Sequence, residues 1–220
     1  MVLTNFFTPL RKGDNMSEFV NYDDARKNRI LEAALVEFAD RGYRKASTNT
    51  IVREAKVSKG LLFHYYTNKK ELYILLYQIA LETITKELYE GVNFADRDVL
   101  NRLSASTVQK IDSYGRHPLF VKLFENHVFV EDEEILERTK QFSIQYAKES
   151  YDKLFSNIDY FLFSDRININ HALDVVRWTI DRISSDWLKK HNFQYKTEHF
   201  SELKDEINVY LDLFRMSYYK

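Results

Sequence analysis

Cysteine is absent from the 220 residues, which excludes a disulfide framework and any zinc site built on thiolates. Glycine and proline are nearly absent too, at five and two residues, too few for the tight turns of an all-β fold. No apolar run approaches the ~20 residues that cross a bilayer. The opening MVLTNFFTPLRKGDN lacks the cationic start and apolar length of a secretory signal. A cytoplasmic location without membrane attachment is therefore expected. HExxH, GxSxG and a phosphate-binding glycine loop are all missing, and the six histidines are scattered without metal-ligand spacing. No enzyme, metal site or cofactor is expected from such a chain. What remains is 45% hydrophobic and 30% charged, the composition of an ordinary globular protein. With so few helix breakers, that composition points to an all-α fold.

The net charge of −1 conceals an asymmetry. Residues 26–70 carry 11 Lys/Arg against 4 Asp/Glu, a net of +7, whereas residues 71–220 carry 19 against 25, a net of −6. A small basic module on a larger acidic body is the footprint of a polyanion binder.

Residues 1–23 show no sustained period and are expected to form a flexible arm. From Asp24 the pattern turns helical, with Ile30, Ala33, Ala34 and Phe38 on one face, Asp23 or Asp24 as cap, and a left-handed Gly42 as terminator. Two short helices follow. The first starts at Ser47–Thr48 and buries Ile51, Val52 and Ala55; the second is capped by Ser58 and buries Leu62 and Tyr66. Only Lys56 and Val57 separate them, which is the spacing of a helix-turn-helix. A fourth helix, Asn68 to Glu90, carries the stripe Leu72, Leu75, Leu76, Ile79, Thr83, Ile84 and Leu88. Five more are expected near 96–113, 118–128, 132–157, 170–192 and 196–218, with an irregular aromatic loop at 159–169.

In a helix-turn-helix the second helix enters the major groove and its first residues reach base edges. With Leu62 and Tyr66 turned inward, Lys59, Gly60, Phe63 and His64 lie opposite. Lys59 can reach a guanine edge or a phosphate, Gly60 lets the backbone approach closely, and Leu61 or Phe63 can pack on a thymine methyl. Thr48 and Asn49, opening the preceding helix, can hold phosphate through side chains and free N–H groups. Lys69 is placed to reach the same strand. Taken singly, each of these is as readily a solvated surface side chain; their order and spacing give them meaning.

The run Arg29-Ile30-Leu31, Ala33-Ala34, Phe38, Gly42-Tyr43, Ile51, Ala55, Val57-Ser58-Lys59-Gly60, Leu62-Phe63-His64-Tyr65-Tyr66, Lys69 and Glu71-Leu72 resembles the N-terminal domain of the TetR family of bacterial transcriptional regulators. The resemblance covers about a quarter of the chain. It implies about nine helices, a DNA-binding domain over 24–90, and a ligand-binding and dimerisation domain over 91–220. It also implies a homodimer joined through the last two helices, and repression at double-stranded operator DNA relieved by a small molecule. Position by position it assigns DNA contacts to Thr48, Asn49, Lys59, Gly60, Leu61, Phe63, His64, Tyr65 and Lys69. Three residues depart from the family pattern: Leu61 where many members have Thr, Phe63 where many have Tyr, and Lys56 where the turn usually has Gly. They bear on which operator is read. Helices five to seven would enclose the ligand, and Leu103, Phe120, Phe124, His127, Phe142, Tyr146 and Trp178 are the candidate lining, favouring an apolar or aromatic inducer. The same residues could equally be plain bundle core. The rival reading is a DNA-binding protein of this fold with a nucleoid-associated or cell-division role and no inducer.

Overall fold

The computed structural model describes residues 25–191 and 200–220. The expected arm, the caps at Asp23 or Asp24 and the expected first turn of the last helix, 196–199, lie outside the described residues. Among the described residues there are nine α-helices, one short 3-10 turn and no strand, so the chain is all-α. In order they are α1 (Ala25–Lys45), α2 (Thr48–Glu54), α3 (Lys59–Tyr66), α4 (Lys69–Leu88), α5 (Val99–Arg116), α6 (Pro118–His127), α7 (Glu133–Leu154), α8 (Ile169–Lys190) and α9 (Phe200–Tyr218). None is long and apolar enough to cross a membrane.

Several helices start later than periodicity suggests, because acidic and amide residues cap them from outside. Asp98 accepts from the Leu100 N–H, Asp132 from Ile135 and Asn68 from Glu71, so α5, α7 and α4 begin one residue past those caps. Gly42 does take a positive φ of 68°, but with ψ of 166° it breaks α1 without ending it, and the helix resumes for one turn to Lys45. The segment 159–169 is less irregular than expected. It holds a 3-10 turn at Tyr160–Leu162, and Phe163 forms an isolated antiparallel bridge with Tyr219.

The chain divides into two compact units. The first comprises residues up to Thr85 with Tyr114–Tyr146. Its core is Ile30, Leu31, Phe38, Ile51, Leu62, Leu72, Tyr73, Leu76, Phe120 and Leu123, with their neighbours. α1 packs on both α2 and α6; Asn126 on α6 donates to the Ala39 carbonyl at 2.7 Å, and Arg29 donates to the Ala55 carbonyl that ends α2. α4 carries more than its expected stripe. Tyr73, Ile74 and Ala80 are buried along with Leu72, Leu76, Ile79, Thr83 and Ile84, so within this unit the helix buries more than one face, while Leu75 of the expected stripe is half-buried.

The second unit comprises Lys86–Ser113 and Ala147–Lys220. α8 and α9 pack together there. Its most unusual interior group is Arg102, fully buried, whose guanidinium donates to the carbonyls of Phe94, Asp96, Leu154 and Ser156 at 2.6–3.1 Å. The Leu154 carbonyl ends α7, at the negative pole of that helix, and the Ser156 carbonyl follows in the turn beyond it, so the cation is met by backbone dipoles. Asp98 serves twice: it caps α5 and accepts from Arg215 at 2.5 Å and Tyr219 at 2.7 Å.

Candidate nucleic-acid interface

The two short helices are set by their caps. Ser47 accepts from the Thr50 N–H to open α2, and its own N–H is held by Glu37 of α1 at 2.9 Å. Ser58 accepts from the Leu61 N–H at 3.2 Å and opens α3. Between them Lys56 stands at φ 54°, the left-handed conformation that the turn demands of whatever residue occupies it. For a non-glycine that costs about 1–2 kcal/mol.

α3 buries Leu62 and Tyr66, and Tyr66 reaches the Lys27 carbonyl of α1. Lys59, Gly60 and His64 are exposed, Leu61 is half-buried, and on α2 Asn49 is exposed and Thr48 half-buried. A Cβ at Gly60 would meet nothing nearer than Ser58 Oγ at 3.9 Å, so no packing inside the protein requires glycine there. Phe63 is half-buried against the first unit's core, with the Lys59 ammonium 6.0 Å from its ring. Tyr65 is half-buried as well, covered by the Lys27 ammonium at 5.1 Å. The outward face of α3 is thus formed by Lys59, Gly60 and His64, flanked by Leu61.

At the start of α4 two adjacent lysines meet different surroundings. Lys70 is paired with Glu134 at 2.7 Å and Asp132 at 3.1 Å, while its neighbour Glu71 holds Arg138 through both oxygens at 2.6 and 2.9 Å. Hydrogen bonding to Arg138 keeps the Glu71 carboxyl below its usual range. Lys69 instead donates to the Arg44 carbonyl at 3.3 Å and lies 4.8 Å above the Tyr43 ring. Partial burial pushes its pKa down, against a smaller upward pull from Glu37. An open cleft of about 320 Å³, lined by Tyr43, Asn68, Lys69, Lys70, Glu71 and Glu134, lies beside it.

The seven candidate ligand-lining residues are distributed over both units. Phe120, Phe124, His127, Phe142 and Tyr146 belong to the first, Leu103 and Trp178 to the second. Phe120 is fully buried in the core. Phe124 packs edge-on to Tyr77 at 5.3 Å, Phe142 lies half-buried against the same core, and Tyr146 donates to Glu82 at 3.4 Å. His127 is the most constrained: Tyr77 tilts over its ring at 4.3 Å, Nδ1 lies 3.1 Å from the Tyr73 hydroxyl, and Nε2 lies 3.0 Å from Thr139 Oγ1. Thr139 Oγ1 also lies 2.7 Å from the Ile135 carbonyl and 3.2 Å from that of Leu136; with its hydrogen turned to them, Nε2 donates to Thr139 and Nδ1 accepts from Tyr73. Leu103 is buried in the second unit, and Trp178 is 60% exposed on α8.

The second unit also shows residues that periodicity did not single out. Val175 joins Trp178 on the outside of α8, and Val209, Leu213 and Met216 form an exposed i, i+4, i+7 row on α9. Phe200, Leu203, Ile207, Leu211 and Phe214 of α9 are buried within the unit itself. Two apolar stripes on one helix were the available signal.

Residues 30–76 match the family profile of the bacterial regulatory proteins, tetR family. Over 50 residues the chain is 46% identical to the HTH-type transcriptional repressor SCO4008 of Streptomyces coelicolor, covering 23% of this chain and 26% of that protein. The chain spans about a quarter to a third of the length of the first curated relatives it matches. Two solved structures share the fold more widely. The fatty acid degradation regulator FadR from Bacillus halodurans aligns with a TM-score of 0.62 at 18% identity, covering 82% of this chain and 97% of that one. FadR from Bacillus subtilis in complex with stearoyl-CoA aligns with a TM-score of 0.59 at 14% identity, covering 81% and 96%.

Proposed function

We propose, because residues 30–76 match the tetR family of bacterial regulatory proteins, that the chain is a member of that family and a sequence-specific DNA-binding transcriptional repressor, released from a palindromic operator by a small apolar or aromatic ligand. The observation that carries this reading is α3 itself, capped by Ser58, anchored inward by Leu62 and Tyr66, and offering Lys59, Gly60 and His64 to the outside. A helix so anchored can lie in the major groove with Lys59 at a base edge. Leu61 and the open edge of Phe63 supply apolar contact, His64 and Tyr65 flank the groove, and Thr48, Asn49 and Lys69 hold phosphates. The net +7 of residues 26–70 suits that surface.

On the ligand side, Phe124, His127 and Phe142 form part of one aromatic and apolar environment in the first unit. FadR of Bacillus subtilis, similar in fold, holds stearoyl-CoA; an effector with a long apolar portion is the class favoured for this chain. The exposed apolar residues of α8 and α9 suit a homodimer, which would present two α3 helices to two half-sites. The protein would act in the cytoplasm and perform no catalysis.

The test is selection from a pool of random duplexes. Wild-type protein should enrich two inverted half-sites about one helical turn apart, and Lys59→Ala should change the base preferred at one position of each. A folded wild type that enriches no sequence would sink the proposal. If specific binding is found but no member of an acyl and aromatic compound panel releases it, the inducer is wrong and an architectural role takes its place.

A further inference from the structure

Lys69 is the one lysine of the adjacent pair that forms no close ion pair among the described residues, and Glu37 acts on it only at longer range. Its neighbour Lys70 is held by Asp132 and Glu134. The Lys69 ammonium rests on the Tyr43 ring at 4.8 Å and gives one hydrogen to the Arg44 carbonyl, which leaves two hydrogens to offer elsewhere. Tyr43 follows the broken turn at Gly42 and is supported from behind. Its ring lies 5.1 Å from that of Tyr73, which meets Phe38 edge-on at 5.1 Å and shares a hydrogen bond with His127 Nδ1. Tyr73 sits one turn beyond Lys69 on the same helix. The support for the ammonium therefore returns to α4 itself and is anchored on α6.

We propose that Tyr43, held in place by Tyr73 and Phe38, is a positioning residue that aims the Lys69 ammonium at a DNA phosphate. The inference rests on the DNA-binding reading above and adds a residue that makes no contact with the nucleic acid. An aromatic face suits this task better than a carboxylate. It attracts the cation without neutralising it, so the full charge remains for the phosphate. A loose lysine would lose rotamer freedom on binding, whereas one already resting on a ring and a carbonyl has less to lose. Lys69 also satisfies a carbonyl in the last turn of α1, and a purely local capping role is the outcome that competes with this one.

The experiment measures affinity for a labelled 30-bp mixed-sequence duplex across a range of NaCl concentrations. Lys69→Ala should lower the slope of log K against log salt by about one, and Lys70→Ala should leave it unchanged. Tyr43→Leu should weaken binding about two- to five-fold, the size of one cation–π contact, and move the slope toward that of Lys69→Ala. Tyr43→Phe should bind like wild type. The double variant Tyr43→Leu/Lys69→Ala should bind no more weakly than Lys69→Ala alone. Should Tyr43→Leu not fold, phenylalanines of increasing fluorination at position 43 keep the shape while draining the ring face, and affinity should fall along the series. A Tyr43→Leu protein with the wild-type slope, a double variant whose loss is the product of the singles, or a flat fluorination series overturns the proposal. Loss of fold stability in Lys69→Ala with an unchanged slope assigns the lysine to capping alone. A folded wild type that binds no duplex at any salt rejects the DNA reading itself, a result distinct from all of these.

Discussion

Burial of His127 disfavours the imidazolium, so its pKa is pushed down to about 4 from the ordinary 6.5. The ring is neutral in the folded protein and must gain a proton more readily once unfolded. Its contribution to stability is therefore fully present above pH 6.5 and is lost as pH falls through the interval down to 4. From the two pKa values the loss between pH 7 and pH 5 is about 2 kcal/mol. Urea denaturation at those two pH values measures it. His127→Gln, which cannot titrate, should be less stable at neutral pH and should lack most of this acid-dependent loss. An identical pH slope in the variant would reject the assignment. The same residue illustrates what was legible from sequence. Its place on an apolar helix face was visible, but its hydrogen bonds to Tyr73 and Thr139, 54 and 12 residues away, were not.

Among elements, the cap of α3 was the most readable feature and buried polarity the least. Ser58 and the pair Leu62/Tyr66 could be placed from spacing alone because a cap and an i, i+4 face are local. Phe63 was harder: a nine-residue stretch rich in aromatics gives no unique inward face, and the ring ends half in the core. Arg102 carried no signal at all, since its partners are backbone carbonyls, which every residue possesses. Those carbonyls come from the segment before α5 and from the end of α7, so Arg102 ties two chain segments together. Lysine keeps the charge but has a single ammonium that cannot span four acceptors. Arg102→Lys is accordingly expected to cost about 3 kcal/mol, as carbonyls that accept charged hydrogen bonds are orphaned. A denaturation midpoint and slope giving less than about 1 kcal/mol would contradict that role.

For the molecule as a whole, the apolar residues left on the outside of the second unit bear on assembly. Trp178 on α8, with Val209, Leu213 and Met216 on α9, are 53–78% exposed in the single chain. Trp178 was expected to line the ligand site, and its exposure suits a subunit contact better. Introducing Asp at both Trp178 and Leu213 should convert a dimer to a monomer in sedimentation, leave helicity intact, and abolish the preference for paired half-sites. Unchanged sedimentation would place the subunit contact elsewhere. Val209, Leu213 and Met216 lie on the face of α9 opposite its buried stripe of Leu203, Ile207, Leu211 and Phe214, so a single inward-facing period does not reveal them. The neutral ring of His127 offers a measure of how often the first unit opens. Its Nε2–H points at Thr139 inside the core, whereas an imidazole proton facing water is ordinarily lost to the solvent at once. Its lifetime in deuterated water counts the openings that separate α6 from α7, turning one hydrogen atom into a clock for local unfolding.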